Sequence, residues 1–354
     1  MKDVIFHHAK IDSIAAVTPK KRVPLSAFAE SFGAEEIKKV TRLTGIEEVS
    51  VAEEDKTASD YCVEAARRLM EDRGLTGADL DGLVYVTETP DHIIPATAPA
   101  LQHRLGLAKD TVNLDLRCSC SGFIYGLFQA SMLVETGCCE RVLVMAGNTS
   151  SRLVNPLDRA LLMVTGDAAC AAVVAKSEAD NPVAFSFYVD GGSMKSIFVP
   201  AGGSRMPIRK GVTDVLEMDE DGNGHTLEDL RMDGMAIMVF AVRTATSLIK
   251  NVMKTMNWTA DEVNLFAVHQ ANKLIVDRIA KGIKADSAKM PVSIQHTGNC
   301  GLVSVPLVLC NEFPGVHPEL KRVVACGFGS GLIAAACALD LSGTRILGTS
   351  DAMI

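Results

Sequence analysis

Cys120, His269 and Asn299 are the residues of this 354-residue sequence whose surroundings best suit chemistry. Cys120 stands in Ser119-Cys120-Ser121-Gly122, a turn of small residues. Before it, Thr111–Leu116 alternates and is rich in β-formers. After it, Phe123, Leu127, Ala130 and Val134 recur at helical spacing. The spacing predicts a strand, a turn and a helix, with Cys120 at or just before the helix N-terminus. Free N–H groups and the positive end of the helix dipole favour a thiolate there. A cysteine so placed is expected to titrate below its ordinary value of about 8.5, in roughly the 3.5–7.5 range. His269 follows the apolar Ala267-Val268 and opens Gln270-Ala271-Asn272. Polar residues at strand ends are where α/β proteins keep their sites. Asn299 sits in Thr297-Gly298-Asn299-Cys300-Gly301, a turn before apolar Leu302–Leu309. Nucleophile, imidazole and amide together suit acyl transfer, in which negative charge develops on a carbonyl oxygen. Each also has a plainer reading: a buried thiol among ten cysteines, a structural histidine, ordinary turn chemistry.

Such residues need a frame that gathers distant strand ends. Residues 3–16 read as a first strand and Glu35–Thr44 as a short charged helix ending at Gly45. Ser59–Arg73 is an amphipathic helix, Leu83–Thr87 an apolar strand, Ala100–Leu105 a helix after a proline-bearing loop, and Arg141–Ala146 another strand. Gly166-Asp167 turns into the small-residue strand Ala168–Val174. Residues 177–230 read as surface hairpins and a crossing loop, with acidic Glu217–Asp221 solvated. Met232–Met256 is one long helix pattern. The order then repeats. Trp258–Val268 resembles Leu75–Val86, each a threonine-led capping turn running into a short strand, and Lys321–Ala325 resembles Glu140–Val144. The chain reads as two related αβ halves, 1–178 carrying the cysteine and 179–354 carrying the histidine and asparagine.

Bulk composition narrows the class. Hydrophobic residues make up 48% and charged residues 22%, ample for two domains or one fused double domain. The mean hydropathy of +0.20 fits large buried sheets. No apolar run reaches the roughly 18 charge-free residues of a membrane span. Met1–His8 lacks the long apolar region of a signal peptide. A cytoplasmic protein with reduced cysteines is expected. Cys118/Cys120 and adjacent Cys138/Cys139 make no zinc pattern with nearby ligands. A net charge of −8 argues against general nucleic-acid binding.

Taken in order, several motifs resemble β-ketoacyl-acyl-carrier-protein synthase III of the thiolase superfamily, over nearly the whole chain. They are Leu43-Thr44-Gly45-Ile46, the Pro95 loop, Cys120-Ser121-Gly122-Phe123, Asn155-Pro156-Leu157-Asp158-Arg159, Gly166-Asp167, His269-Gln270-Ala271-Asn272, Gly298-Asn299 with Ser304-Val305-Pro306, and Gly327-Phe328-Gly329-Ser330-Gly331. The resemblance implies an α/β thiolase-like fold, two duplicated halves forming a layered αβαβα sandwich. It implies a ping-pong reaction in which Cys120 takes an acyl group from acyl-CoA as a thioester. A malonyl thioester, usually on acyl carrier protein, then loses carbon dioxide, and its carbanion attacks the acyl carbonyl. His269 and Asn299 would hydrogen-bond the malonyl thioester oxygen. The backbone N–H groups of Cys120 and Ser330 would form the oxyanion hole. Phe123, Phe328, Ile94, Arg159 and Asn272 would belong to the substrate pocket. No metal or redox cofactor is called for. A homodimer is implied, the Ile94-Pro95 loop reaching the neighbour's acyl pocket; no membrane partner is.

The sequence departs from that family at several points. Arg117 and Cys118 stand where small residues commonly precede the nucleophile. Lys39 lies near a position usually held by a CoA-stacking tryptophan, and Leu274 where an arginine is common. Cys326 resembles a thiolase's second cysteine, but Asn299 stands where a thiolase has histidine, so Cys326 is read as structural. Glu88 follows a strand end. Hydroxymethylglutaryl-CoA synthase and head-to-head acyl condensing enzymes use a glutamate in that region, where it can act as a base on the donor. Those enzymes, and an inactive partner subunit, are the competing readings. A loop acid on the surface is the plainer reading of Glu88.

Overall fold

The computed structural model describes residues 3–354. Strands β1 (Asp3–Phe6), β2 (Ala9–Thr18), β3 (Gly82–Val86), β4 (Val112–Leu116), β5 (Arg141–Asn148) and β6 (Ala168–Lys176) come from the first half of the chain. Strands β7 (Val183–Val189), β8 (Leu265–Val268), β9 (Val323–Gly329), β10 (Ile333–Leu339), β11 (Arg345–Ile346) and β12 (Ser350–Asp351) come from the second. The principal helices are α1 (Ala34–Thr44), α2 (Ala58–Arg73), α3 (Ala98–Leu105), α4 (Gly122–Glu135), α5 (Gly234–Thr255), α6 (Lys273–Ile283) and α7 (Ser304–Glu312).

The strands form two large sheets. One has the order β11-β2-β6-β5-β3-β4, with β12 also beside β2; the other runs β1-β7-β10-β9-β8. In each, two antiparallel pairings lead into a parallel one: β2–β6–β5–β3 in the first and β7–β10–β9–β8 in the second. The duplication read from sequence extends to side chains. Thr76 and Asp79 form a capping box before β3, and Thr259 and Glu262 make the same contacts before β8. Asp81 then accepts from the Arg141 N–H, and Asn264 accepts from the Arg322 N–H. Each contact fixes the register of a parallel strand pair.

Helices α4 and α7 lie between the sheets; α2 covers the outer face of the first and α5 that of the second. The layers are therefore αβαβα, as expected. The middle layer holds the largest apolar cluster, including Phe123, Leu127, Leu302, Leu307 and Phe185. Each such side chain contributes about 1.5–3 kcal/mol on burial. Helix α4 sits unusually close to its sheet. A Cβ on Gly122 would meet Val86 Cγ1 at 2.8 Å, and one on Gly126 would meet Val144 Cγ1 at 2.8 Å. These glycines bring the helix start, and with it Cys120, down onto the strand ends.

Two expectations need correction. Residues 3–16 are not one strand: β1 joins the second sheet and β2 the first, with His7 and His8 between. Conversely, β11 and β12 from the C-terminal end join the first sheet. Residues 177–230 are not all irregular, because β7 is an internal strand of the second sheet and opens its repeat. The run Val183-Ala-Phe-Ser-Phe-Tyr-Val189 is apolar with β-formers, and that was its signal. Helix α5 is long and apolar enough to cross a membrane by composition, although Arg243, Lys250 and Lys254 interrupt its apolar run. Its face of Ala241, Ala245, Leu248, Ile249 and Val252 instead packs on the second sheet.

Candidate active site

Cys120 lies in the connection from β4 to α4, as the spacing predicts. The turn is tight: the Gly122 N–H donates to the Ser119 carbonyl at 2.6 Å. Strand β9 passes directly against it. A Cβ on Gly327 would meet the Cys120 carbonyl oxygen at 2.6 Å, and one on Gly329 would meet Ser119 Oγ at 2.6 Å and Cys120 Sγ at 3.0 Å. The glycines of Gly327-Phe328-Gly329 thus make room for the Cys120 turn. Gly329→Ala should push Ser119 and Cys120 aside. The expected result is a stability loss of about 1–3 kcal/mol, as for overpacking, with slower acylation of Cys120. Thermal unfolding and acyl-transfer rates check both; unchanged acylation would mean that the turn tolerates displacement.

His269 immediately follows β8, and its N–H donates to the Cys326 carbonyl at 2.8 Å, continuing the parallel ladder. The ring is 2% exposed, edge-on to Phe328 at 5.0 Å between centroids. Burial lowers its pKa to about 3, against a smaller opposing contact with the Gly301 backbone, so the imidazole is neutral. Gln270 holds the loop behind it, accepting from the Ser293 N–H at 3.1 Å.

Asn299 is fixed through its backbone and its side chain. Its N–H donates to Val164 O at 2.7 Å, and its carbonyl accepts from the Gly166 N–H at 3.0 Å. Its Oδ1 accepts from the Gly301 N–H at 3.0 Å. The Nδ2 hydrogens remain as donors. Gly166 is required here, because a Cβ on it would lie 1.8 Å from Thr297 O. Asp167 beside it anchors the same corner, accepting from the N–H groups of Ala52 and Ser151, both at 2.9 Å.

The three residues line one cavity of about 560 Å³. Glu88, Arg117, Asn148 and Ser150 add polar groups to its wall; Leu153, Met194, Phe198, Leu230, Ile237 and Met238 add apolar ones. Glu88 is therefore not a surface acid. Its Oε1 accepts from Ser330 Oγ at 2.8 Å, and its N–H donates to Asn148 Oδ1 at 2.9 Å. Burial raises its pKa, against opposing hydrogen bonds from Ser330 and Ser119.

Two expectations about the nucleophile change. Burial first, and the Glu88 carboxylate second, push the Cys120 thiol up to about 12, so it rests protonated. The turn alone showed the helix end but not the buried carboxylate. The Ser330 N–H, expected in the oxyanion hole, donates to Ser119 Oγ at 3.1 Å.

The remaining pocket residues divide. Phe328 and Asn272 line the cavity, Asn272 also capping α6 by accepting from the Ile275 N–H at 2.8 Å. Phe123 does not line it. It is buried in the middle layer, because helical spacing turns it into the core. Arg159 begins a short helix whose next residues, Ala160 and Leu161, line the cavity in its place. Ile94 is 85% exposed and lies outside this chain's own cavity. Sequence reading missed Asn148, although it ends an apolar strand just as His269 follows one. It also missed Ser119 and the Met194–Val199 wall.

Comparison with known proteins identifies the family of the chain. Residues 114–191 match the family model of 3-oxoacyl-[acyl-carrier-protein] synthase III, and residues 253–341 match the model of its C-terminal part. The chain is 34% identical to a β-ketoacyl-[acyl-carrier-protein] synthase III of Caldanaerobacter subterraneus, over 83% of this chain and 86% of that one. It is 33% identical to a synthase III of Streptomyces coelicolor, over 84% and 86%. The structure is similar to a 3-oxoacyl-(acyl-carrier protein) synthase from Burkholderia xenovorans, with a TM-score of 0.91, 28% identity and 99% of each chain covered. The fold is thiolase-like. On these similarities the chain belongs to the 3-oxoacyl-[acyl-carrier-protein] synthase III family, a family of condensing acyltransferases.

Proposed function

We propose that this enzyme joins an acyl-CoA primer to malonyl-acyl carrier protein by decarboxylative Claisen condensation, in fatty-acid initiation or a related specialised pathway. Cys120 carries the acyl group, and His269 and Asn299 hold the malonyl thioester oxygen. One observation supports this assignment: three residues from separate parts of the chain line a single cavity, with a neutral imidazole and a free amide donor. The cavity volume lies within the roughly 300–1,000 Å³ common for ligand sites. The halves 1–178 and 179–354 divide the work, the first supplying the nucleophile and the second the enolate donors. The protein acts as a cytoplasmic homodimer. Strand β4 is a half-buried sheet edge along its whole length, which pairing would cover, and exposed Ile93 and Ile94 are free to reach a neighbour.

The test is a screen of acyl-CoA primers with malonyl-acyl carrier protein. A 3-oxoacyl-carrier product, with one carbon dioxide released per turnover, is the expected result. A product formed only with an acetoacetyl acceptor would favour the hydroxymethylglutaryl-CoA synthase type instead. No acyl-enzyme with any primer would favour a passive subunit.

A further inference from the structure

Ser119 brings a hydroxyl against the nucleophile. It is 3% exposed and lines the same cavity as Cys120. Ser119 Oγ donates to Cys120 Sγ at 3.4 Å. The same oxygen accepts from the Ser330 N–H at 3.1 Å. Ser330 is held in turn, because its Oγ donates to Glu88 Oε1 at 2.8 Å. Glu88 is anchored by its own N–H, which donates to Asn148 Oδ1 at 2.9 Å. Gly329 leaves the space: a Cβ there would lie 2.6 Å from Ser119 Oγ and 3.0 Å from Cys120 Sγ. We propose that Ser119 is a further catalytic residue, whose hydroxyl donates to the Cys120 sulfur and stabilises the thiolate, both as it forms for acylation and as condensation releases it. This rests on the reading of Cys120 as the acylated residue. Ser119 keeps its own hydrogen throughout and relays no proton.

The direction of these bonds decides what Ser119 does. A serine hydroxyl has one donor and two acceptor positions. The Ser330 N–H fills one acceptor position and so polarises the O–H toward the sulfur. Hydrogen bonds in such a chain strengthen one another by about 10–30%. A bond to an ionised acceptor is roughly twice as strong as one between neutral groups. The Ser119 bond therefore favours thiolate over thiol, against the burial and the Glu88 charge that keep Cys120 protonated at rest.

Glu88 is the competing acceptor. Ser119 also acts to lower the Glu88 carboxyl, and one hydrogen cannot serve both groups. Ser330 Oγ already donates to Glu88, which leaves the Ser119 hydrogen for the sulfur.

The experiment follows alkylation of Cys120 by iodoacetamide across pH, read by mass spectrometry of the Cys120 peptide. It compares the wild type, Ser119→Ala, Ser119→Thr, Glu88→Gln and the double variant Glu88→Gln/Ser119→Ala, each shown to be folded by thermal unfolding. Loss of a hydrogen bond to a charged group should raise the thiol by about one to two pH units. A more basic thiolate is also the better nucleophile, with a Brønsted slope of about 0.4–0.5, which offsets part of the loss. Ser119→Ala should therefore alkylate about 3- to 20-fold more slowly wherever the thiol is mainly protonated. A loosened turn would do the opposite, exposing Cys120 and speeding alkylation. Ser119→Thr keeps the donor and should react faster than Ser119→Ala; equal rates overturn the proposal. Glu88→Gln can still accept from Ser330 but carries no charge, so its Cys120 should alkylate faster than wild type. Adding Ser119→Ala to it should slow alkylation by the same factor as in the wild type. A factor that disappears in the Glu88→Gln background means that the hydrogen serves the carboxylate, and overturns the proposal. Unchanged or faster alkylation in folded Ser119→Ala overturns it as well. Acylation by acyl-CoA should slow together with alkylation. A wild-type protein that alkylates at Cys120 but acylates with no primer would instead overturn the parent reading.

Discussion

Cys120→Ala abolishes covalent acylation by acyl-CoA and, with it, condensation; this is the expected result with the largest effect. The structural reasons are local. Cys120 is the cysteine that lines the cavity, and it does so where β4 hands over to α4. Cys118, two residues earlier, is half-buried and does not line the cavity, and burial raises its thiol. Cys326 and Cys300 are fully buried, and burial raises both. None of these three thiols lines the cavity, so none can take the place of Cys120 there. Intact-protein mass spectrometry after acyl-CoA treatment should show one acyl adduct in the wild type and in Cys118→Ala, and none in Cys120→Ala. An adduct that persists in Cys120→Ala and disappears in Cys118→Ala would move the nucleophile to Cys118. Stability should change little, since alanine removes only a sulfur facing an open cavity.

The positions of the three principal residues were legible because each is tied to a local pattern. Cys120 follows an alternating run and precedes a helical one, and a small-residue turn between such runs has few other forms. His269 follows an apolar strand. Asn299 lies between Gly298 and Gly301, both at positive φ in the structure. At Gly298 even the space demands glycine: a Cβ would meet Val164 O and Val49 Cγ1, both at 2.8 Å. The layered fold was legible through the repeat of threonine-led caps before β3 and β8.

What stayed hidden is what depends on distant chain segments meeting. Phe123 has helical spacing from Leu127, which marks it as core, yet the family resemblance implied a place in the pocket. Adjacent residues on a helix point about 100° apart, so sequence neighbours need not share a wall. Glu88 was placed on the surface as easily as in the site, because nothing around it announces Ser330, 242 residues away, as its partner. The state of Cys120 was misjudged for the same reason. A helix N-terminus is visible in sequence, whereas desolvation and a facing carboxylate appear only when the C-terminal ends of β3, β4 and β9, from two sheets, meet.

Asn299→Ala should separate the two half-reactions. Decarboxylation of the malonyl donor builds negative charge on its thioester oxygen, and donors aimed there act most strongly in a water-poor site. Asn299 offers its Nδ2 hydrogens, since its Oδ1 is committed to the Gly301 N–H. His269 offers a neutral ring throughout the physiological range. Neither is needed to bring an acyl-CoA carbonyl to Cys120. Loss of one such donor costs about 10²–10³ in rate, so Asn299→Ala should release labelled carbon dioxide that much more slowly while still acylating Cys120. His269→Ala should do much the same, with some loss of acylation where the ring assists the thiol. The depressed pKa of His269 adds a pH consequence. Below about 6.5 the unfolded chain takes up a proton that the folded site refuses until about 3, so this residue's contribution to stability falls as pH drops through that window. The decarboxylation rate, by contrast, should show no ionisation of His269 near neutrality. Equal loss of both half-reactions in a folded Asn299→Ala protein would mean that the roles are not separable, and normal carbon dioxide release would remove Asn299 from the site.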